Sequence, residues 1–210
     1  PAGLADALRR MLSSVTAITF ATGLGIAAVA ADFVHVVLGA KWEGAIPLMP
    51  WLGLFAAVYG IVRTLDMFLI ATGGERASSL LALGFAILVV PVLWYAGQHG
   101  SIEGIAATKA GTVFALLLAL AVVVTRLSQV TAKLMWSAVW PPMLASLSMF
   151  LGVKLLQAQL PLASHLLGLV RDASVGAVVY IVASSMVWIV RGRPAGIEQL
   201  VTLGEQFDIP

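Results

Sequence analysis

The sequence contains no cysteine, which removes disulfides, thiolate nucleophiles and cysteine-held metals from consideration. Charge is scarce as well. Asp, Glu, Lys and Arg together make up 10% of the residues, against roughly 25% in a soluble domain, whose surface must face water. With 60% of its 210 residues hydrophobic and a mean hydropathy of +1.02, a water-soluble globule would leave large apolar patches exposed. Lipid tolerates such a surface. The formal charge of +2 is too small to point to a nucleic-acid partner. Enzyme motifs are also missing: there is no HExxH, no GxSxG, no Walker-type loop and no EF-hand. The chain therefore reads as a non-enzyme without metal or cofactor.

The apolar residues fall into six stretches, each near the ~20 residues a helix needs to cross the hydrocarbon core. They cover residues 11–38, 46–71, 77–96, 105–125, 139–160 and 166–190. Glycine-containing turns separate them at 39–44, 72–75 and 97–100. Pro141 and Pro142 are expected in the first turns of the fifth helix, where a missing amide donor matters least, and Pro91 is expected to kink the third. Long continuous apolar runs exclude a β-barrel, whose strands are short and alternating. The expected fold is an all-α integral membrane protein, a bundle of about six transmembrane helices over residues 1–191 with a cytoplasmic tail at 192–210. In that tail Ile197, Leu200, Val201 and Leu203 have the spacing of a short amphipathic helix. The start at Pro1, with no initiator Met or signal-peptide pattern, is expected of a piece of a longer polypeptide.

Basic residues orient the bundle. With the N-terminus in the cytoplasm, the inside holds Arg9, Arg10, Arg76, Arg126, Lys133, Arg191 and Arg193. The outside holds Lys41 and Lys154, with Lys109 and Arg171 within or beside helices. Six spans return the C-terminus to the inside. Tryptophan prefers the membrane–water interface, and Trp42, Trp51, Trp94, Trp136, Trp140 and Trp188 all fall near expected helix ends. Lys41, Trp42, Trp94, Trp136 and Trp188 are read as interfacial anchors.

Arg63 and Asp66 form the most informative polar pair, because their i, i+3 spacing puts them on one face deep in the second span. Ionisable groups at such depth cost ~2.5–3.5 kcal/mol on insertion scales and usually face a bundle interior or aqueous cavity. One reading is a cationic contact for an anionic substrate, with Asp66 orienting Arg63. The other is a structural ion pair, or an arginine snorkelling to the inner surface. Asp32 and His35 share a face near the outer end of the first helix, whereas the adjacent Arg171 and Asp172 are expected to point apart. Glu103 and Lys109 read as a helix-entry acid followed by a snorkelling base. His35, His99 and His165 all map near outer helix ends without metal-ligand spacing, as interfacial polar groups. Small residues four apart, as in Ala27/Ala31, Ala56/Gly60, Gly100/Gly104 and Ala106/Ala110, favour close helix packing.

One turn carries more than composition. Val37-Leu38-Gly39-Ala40-Lys41-Trp42, followed by Ala45, Pro47 and Leu48, resembles the LLG-x-K-W…A…P-L turn of bacterial polysaccharide flippases. These form the polysaccharide-transporter branch of the multidrug/oligosaccharidyl-lipid/polysaccharide exporter superfamily. Leu4-Ala5-Asp6 with Arg9-Arg10 resembles the segment preceding that helix, and Ala71-Thr72-Gly73-Gly74 the turn closing the next. Physically, Gly39 is expected to close the first helix in a left-handed conformation, with Pro47 in the first turn of the second. The resemblance implies two six-helix bundles around a central cavity, of which this chain would be the C-terminal one, its partners being the lipid bilayer and the missing N-terminal bundle. It further implies flipping of an undecaprenyl-pyrophosphate-linked oligosaccharide across the bacterial inner membrane for polysaccharide synthesis, with Arg63 as the cationic contact. A multidrug exporter of the same superfamily, or a non-transporting scaffold of a polysaccharide assembly system, are the alternatives.

Overall fold

A computed structural model describes residues 2–128, 130–160 and 164–190, and every regular element among them is helical. Helix α1 (Ala2–Ala28) leads into a single turn α2 (Ala30–Phe33), a π turn (Val34–Leu38) and a 3-10 stretch (Ala40–Leu48). Four antiparallel returns then give α3 (Met49–Ala71), α4 (Glu75–His99), α5 (Ile102–Leu127), α6 (Ala132–Gln159) and α7 (His165–Val190). Six helices are long and apolar enough to cross a membrane, so the protein is a multi-pass helical bundle. The tail from 191 to 210, with Arg191, Arg193 and the expected amphipathic helix, lies outside the described residues, as do the side chains of His99 and Trp188.

Four boundaries differ from the sequence expectation. The first helix starts at Ala2 rather than residue 11, because Leu8 and Leu12 are fully buried while Arg9 and Arg10 take the opposite side. It also breaks at Val29 (φ −99°, ψ 17°), where the Ala28 carbonyl accepts a hydrogen bond from Gln157 Nε2 of α6 at 3.2 Å. The π turn closes with Gly39 N–H donating to the Val34 carbonyl at 2.8 Å. Gly39 ends it with φ 86° and ψ 161°, a conformation open to glycine but outside the left-handed helical region expected there.

Helix α3 begins at Met49 with Pro50 in its first turn, leaving Pro47 in the preceding 3-10 stretch. It closes on Gly73 (φ 83°), with Gly74 N–H donating to Leu69 O at 2.8 Å and Gly73 N–H to Ile70 O at 3.0 Å. That is the paired cap expected where a glycine ends a helix. Helix α6 starts seven residues before position 139, because the Thr131 hydroxyl accepts the Leu134 N–H at 3.4 Å. Pro141 and Pro142 therefore lie inside the helix and not at its entry. Pro91 likewise lies within α4, which continues to His99.

In space the helices form a row, α4–α5–α3–α1–α6–α7, with α1 and α3 as its centre. This leaves two triplets, α3/α4/α5 and α1/α6/α7, and each encloses a cavity. The core joining them sits at the end of the bundle where Leu8 and Leu12 meet Leu65 and Leu69 of α3, Val124 of α5 and Ala138 of α6. Among the expected small residues, Gly60 faces Thr19 of α1, and Ala27 and Ala110 are buried.

Candidate functional site

Helix α3 carries Arg63 and Asp66 one turn apart, and the helical rise sets Arg63 about 13 Å from the closing turn at Thr72. Arg63 Nη1 donates to Asp66 Oδ2 at 3.0 Å. The other carboxylate oxygen, Oδ1, accepts from Ser78 Oγ of α4 at 2.5 Å. Both oxygens of Asp66 are thus engaged, one by a neighbour on its own helix and one across the α3–α4 turn. Arg63 is half exposed, at 51% for its side chain, and its guanidinium has donors beyond the one Asp66 takes.

Between this pair and the start of α3, Phe55 and Tyr59 stack with ring centroids 5.4 Å apart. Lys109 of α5 places its ammonium 5.5 Å from the centre of the Phe55 ring, within the distance at which a cation is attracted to a π face. All these groups line one cavity of about 320 Å³ between α3, α4 and α5, with Phe85 and Leu116 closing its apolar walls. The cleft holds two cations, one carboxylate and an aromatic pair, so its formal charge is +1. Lys109, expected to snorkel at a helix entry, instead belongs to the same cleft as Arg63. The acid at that helix entry, Glu103, the second residue of α5, accepts from Trp51 Nε1 at 3.4 Å.

The second cavity, about 500 Å³ between α1, α6 and α7, is mostly apolar. Asp172 lies at its edge and is fully buried. Arg171 and Asp172, expected to point apart, are paired: Arg171 Nε donates to Asp172 Oδ1 at 2.7 Å, because the long arginine side chain folds back and also donates to the Leu160 carbonyl. Gln157 Nε2 completes the set by donating to Asp172 Oδ2 at 2.7 Å. Lys154 donates to Gln157 Oε1 at 3.3 Å. Gln157, which donates to both Asp172 and the Ala28 carbonyl, makes this a structural knot tying α6 and α7 to the break in α1, while Tyr180 Oη donates to Ala17 O of α1 at 3.0 Å.

A third cluster gathers where the π turn after α1 meets the start of α7. His35 and His165, 130 residues apart in sequence, stack at 4.2 Å with 7° between ring planes. Asp32 Oδ1 lies 2.7 Å from His165 Nδ1, and Glu43 Oε1 lies 3.2 Å from His35 Nε2. Only the Asp32/His35 spacing hinted at it. Among the described residues no group of three His, Asp or Glu side chains is arranged to hold a metal.

Of the expected anchors, Lys41 and Trp42 are exposed on the 3-10 stretch, Trp94 near the C-terminal end of α4, and Trp136 near the start of α6. None of them approaches the α3/α4/α5 cleft. No protein-family model matches this chain, and no match was found among curated proteins or solved structures.

Proposed function

We propose that this chain is one helical half of a transporter that moves undecaprenyl-pyrophosphate-linked oligosaccharide across the bacterial cytoplasmic membrane during polysaccharide synthesis. The observation that carries the reading is the cleft in which Arg63 and Lys109 flank an aromatic pair at membrane depth. A pyrophosphate needs cationic donors, and Arg63 has them to spare beyond Asp66. A sugar ring presents an apolar face, for which the Phe55–Tyr59 stack offers a platform. The turn around Gly39 to Leu48, which resembles that of polysaccharide flippases, supports the same substrate class. The engaged state of Asp66, held by Arg63 and Ser78, disfavours a cationic drug as cargo. No ATP-binding loop is found in the sequence, so an ion gradient is the proposed driving force, with a second bundle completing the cavity.

The test is genetic and biochemical. Deleting the full-length gene should abolish surface polysaccharide and accumulate lipid-linked repeat units on the cytoplasmic face. Arg63→Ala and Lys109→Gln in the full-length protein should express normally yet fail to restore export, with Arg63→Lys partly active. Normal export in the deletion strain would overturn the assignment.

A further inference from the structure

His35 occupies an unusual position for an imidazole. Its Nδ1 lies 2.8 Å from the Ala31 carbonyl oxygen, and its Nε2 lies 3.2 Å from Glu43 Oε1. Both ring nitrogens face oxygens that can only accept. A neutral imidazole has one N–H and one lone pair, so it would set a lone pair against one of these oxygens; only the imidazolium donates to both. His165 differs. Its Nδ1 meets Asp32 Oδ1 at 2.7 Å, which a neutral ring satisfies by carrying its proton on that nitrogen. The stack between the two rings is then a cation on a neutral ring, avoiding two positive charges face to face.

We propose that His35 is a proton-binding site at the outer face, and that its protonation clasps the extension of α1 to the 3-10 stretch leading into α3. When the proton leaves, the ring keeps one N–H, which the shorter contact to the Ala31 carbonyl (2.8 Å) holds over the longer one to Glu43 (3.2 Å), so Glu43 faces a lone pair and its contact is lost. The Asp32–His165 contact persists, because it needs no added charge. The charged groups around His35 favour this order. Asp32 stands on α2 beside it, Glu43 lies on the 3-10 stretch, and His165 stacks on it from α7. Glu103 at the start of α5 approaches the same end through Trp51. The Ala31 carbonyl, ahead of Glu43 and Asp32, raises the His35 pKa above its ordinary 6.5. The clasp therefore tightens on acidification and loosens as pH rises through that raised value. Since the 3-10 stretch ends where α3 begins, the proton at His35 sets how firmly the entry of α3 is held.

The absence of cysteine makes the test direct. In the full chain in nanodiscs, ring-nitrogen NMR with histidine labelling should show His35 carrying protons on both nitrogens below a midpoint that lies above 6.5. Glu43→Gln, on an exposed position, should lower that midpoint without unfolding the chain. Spin labels at Lys41→Cys and Leu167→Cys should give a distance distribution that narrows between about pH 8.5 and about pH 5.5, and Glu43→Gln should abolish the narrowing. A midpoint at or below 6.5, or one indifferent to Glu43→Gln, overturns the proposal. So does a label distance that ignores pH.

Discussion

Gly23 of α1 and Gly53 of α3 face each other so closely that a Cβ built on either would lie 2.3 Å from the carbonyl oxygen of the other. This contact fixes the crossing of the two central helices, and Ala27 and Ala57 continue it on either side. Backbone, not a flexible side chain, is what an added methyl would strike. In a membrane, where lipid removes the hydrophobic drive for helix association, such close backbone packing carries much of the stability. Gly23→Ala or Gly53→Ala should therefore destabilise the bundle by about 1–3 kcal/mol, as overpacking does. Gly84→Ala, in open space on α4, should be neutral. Reversible unfolding in mixed detergent micelles compares the three.

Asp172 gives a second prediction. It is fully buried, and both of its oxygens are used, by Arg171 and Gln157. Removing it takes the only carboxylate from a partly buried guanidinium and leaves the Gln157 amide and Arg171 with carbonyl acceptors alone, so Asp172→Ala should cost about 3–5 kcal/mol. Asp172→Asn keeps the shape and one acceptor oxygen and should lose less. If the knot holds α7 against the break in α1, the alanine variant should also speed amide exchange at residues 28–33. Unchanged exchange there would separate Asp172 from the break.

These contacts mark how far a linear reading reaches. The six spans were legible because each is a long apolar run, and the Arg63–Asp66 pair because it is local, one helical turn apart. Ser78 and Lys109 were not. They come to the same cleft from two other helices, and nothing in a hydropathy pattern says which face of α5 turns toward α3. The Arg171–Asp172 pair escaped for another reason: adjacent Cα–Cβ directions diverge, but arginine is long enough to fold back. Entry points were missed where a side-chain cap or a buried leucine extends a helix into polar sequence, as Thr131 and Leu8 do.

The pH dependence of stability has a definite sign. His35 is raised above 6.5, first by the Ala31 carbonyl and then by Glu43 and Asp32. A group whose folded pKa is raised contributes stability that is complete below the unfolded value and is lost as pH climbs through the folded one. The melting temperature of the purified chain should therefore fall as the buffer moves from about pH 6 to about pH 8.5. His35→Gln should flatten that slope, and a slope unchanged in the variant would assign it to another group.

Thr16 carries the last prediction, and its direction is opposite to the others. Its side chain is fully buried on α1, and its Oγ1 has no hydrogen-bond partner. Elsewhere the bundle's threonines return their hydroxyls to a carbonyl on their own helix, as Thr19 does to Val15 O at 2.9 Å and Thr64 to Gly60 O at 2.9 Å. A buried hydroxyl left unpaired keeps its desolvation penalty with nothing to offset it. Valine has the same branched shape and no polar atom, so Thr16→Val should stabilise the bundle by about 1 kcal/mol or more. Thr64→Val, which removes a hydroxyl already bonded, should bring no such gain. Parallel unfolding curves for the two variants distinguish a misplaced polar atom from a general preference for valine on these helices.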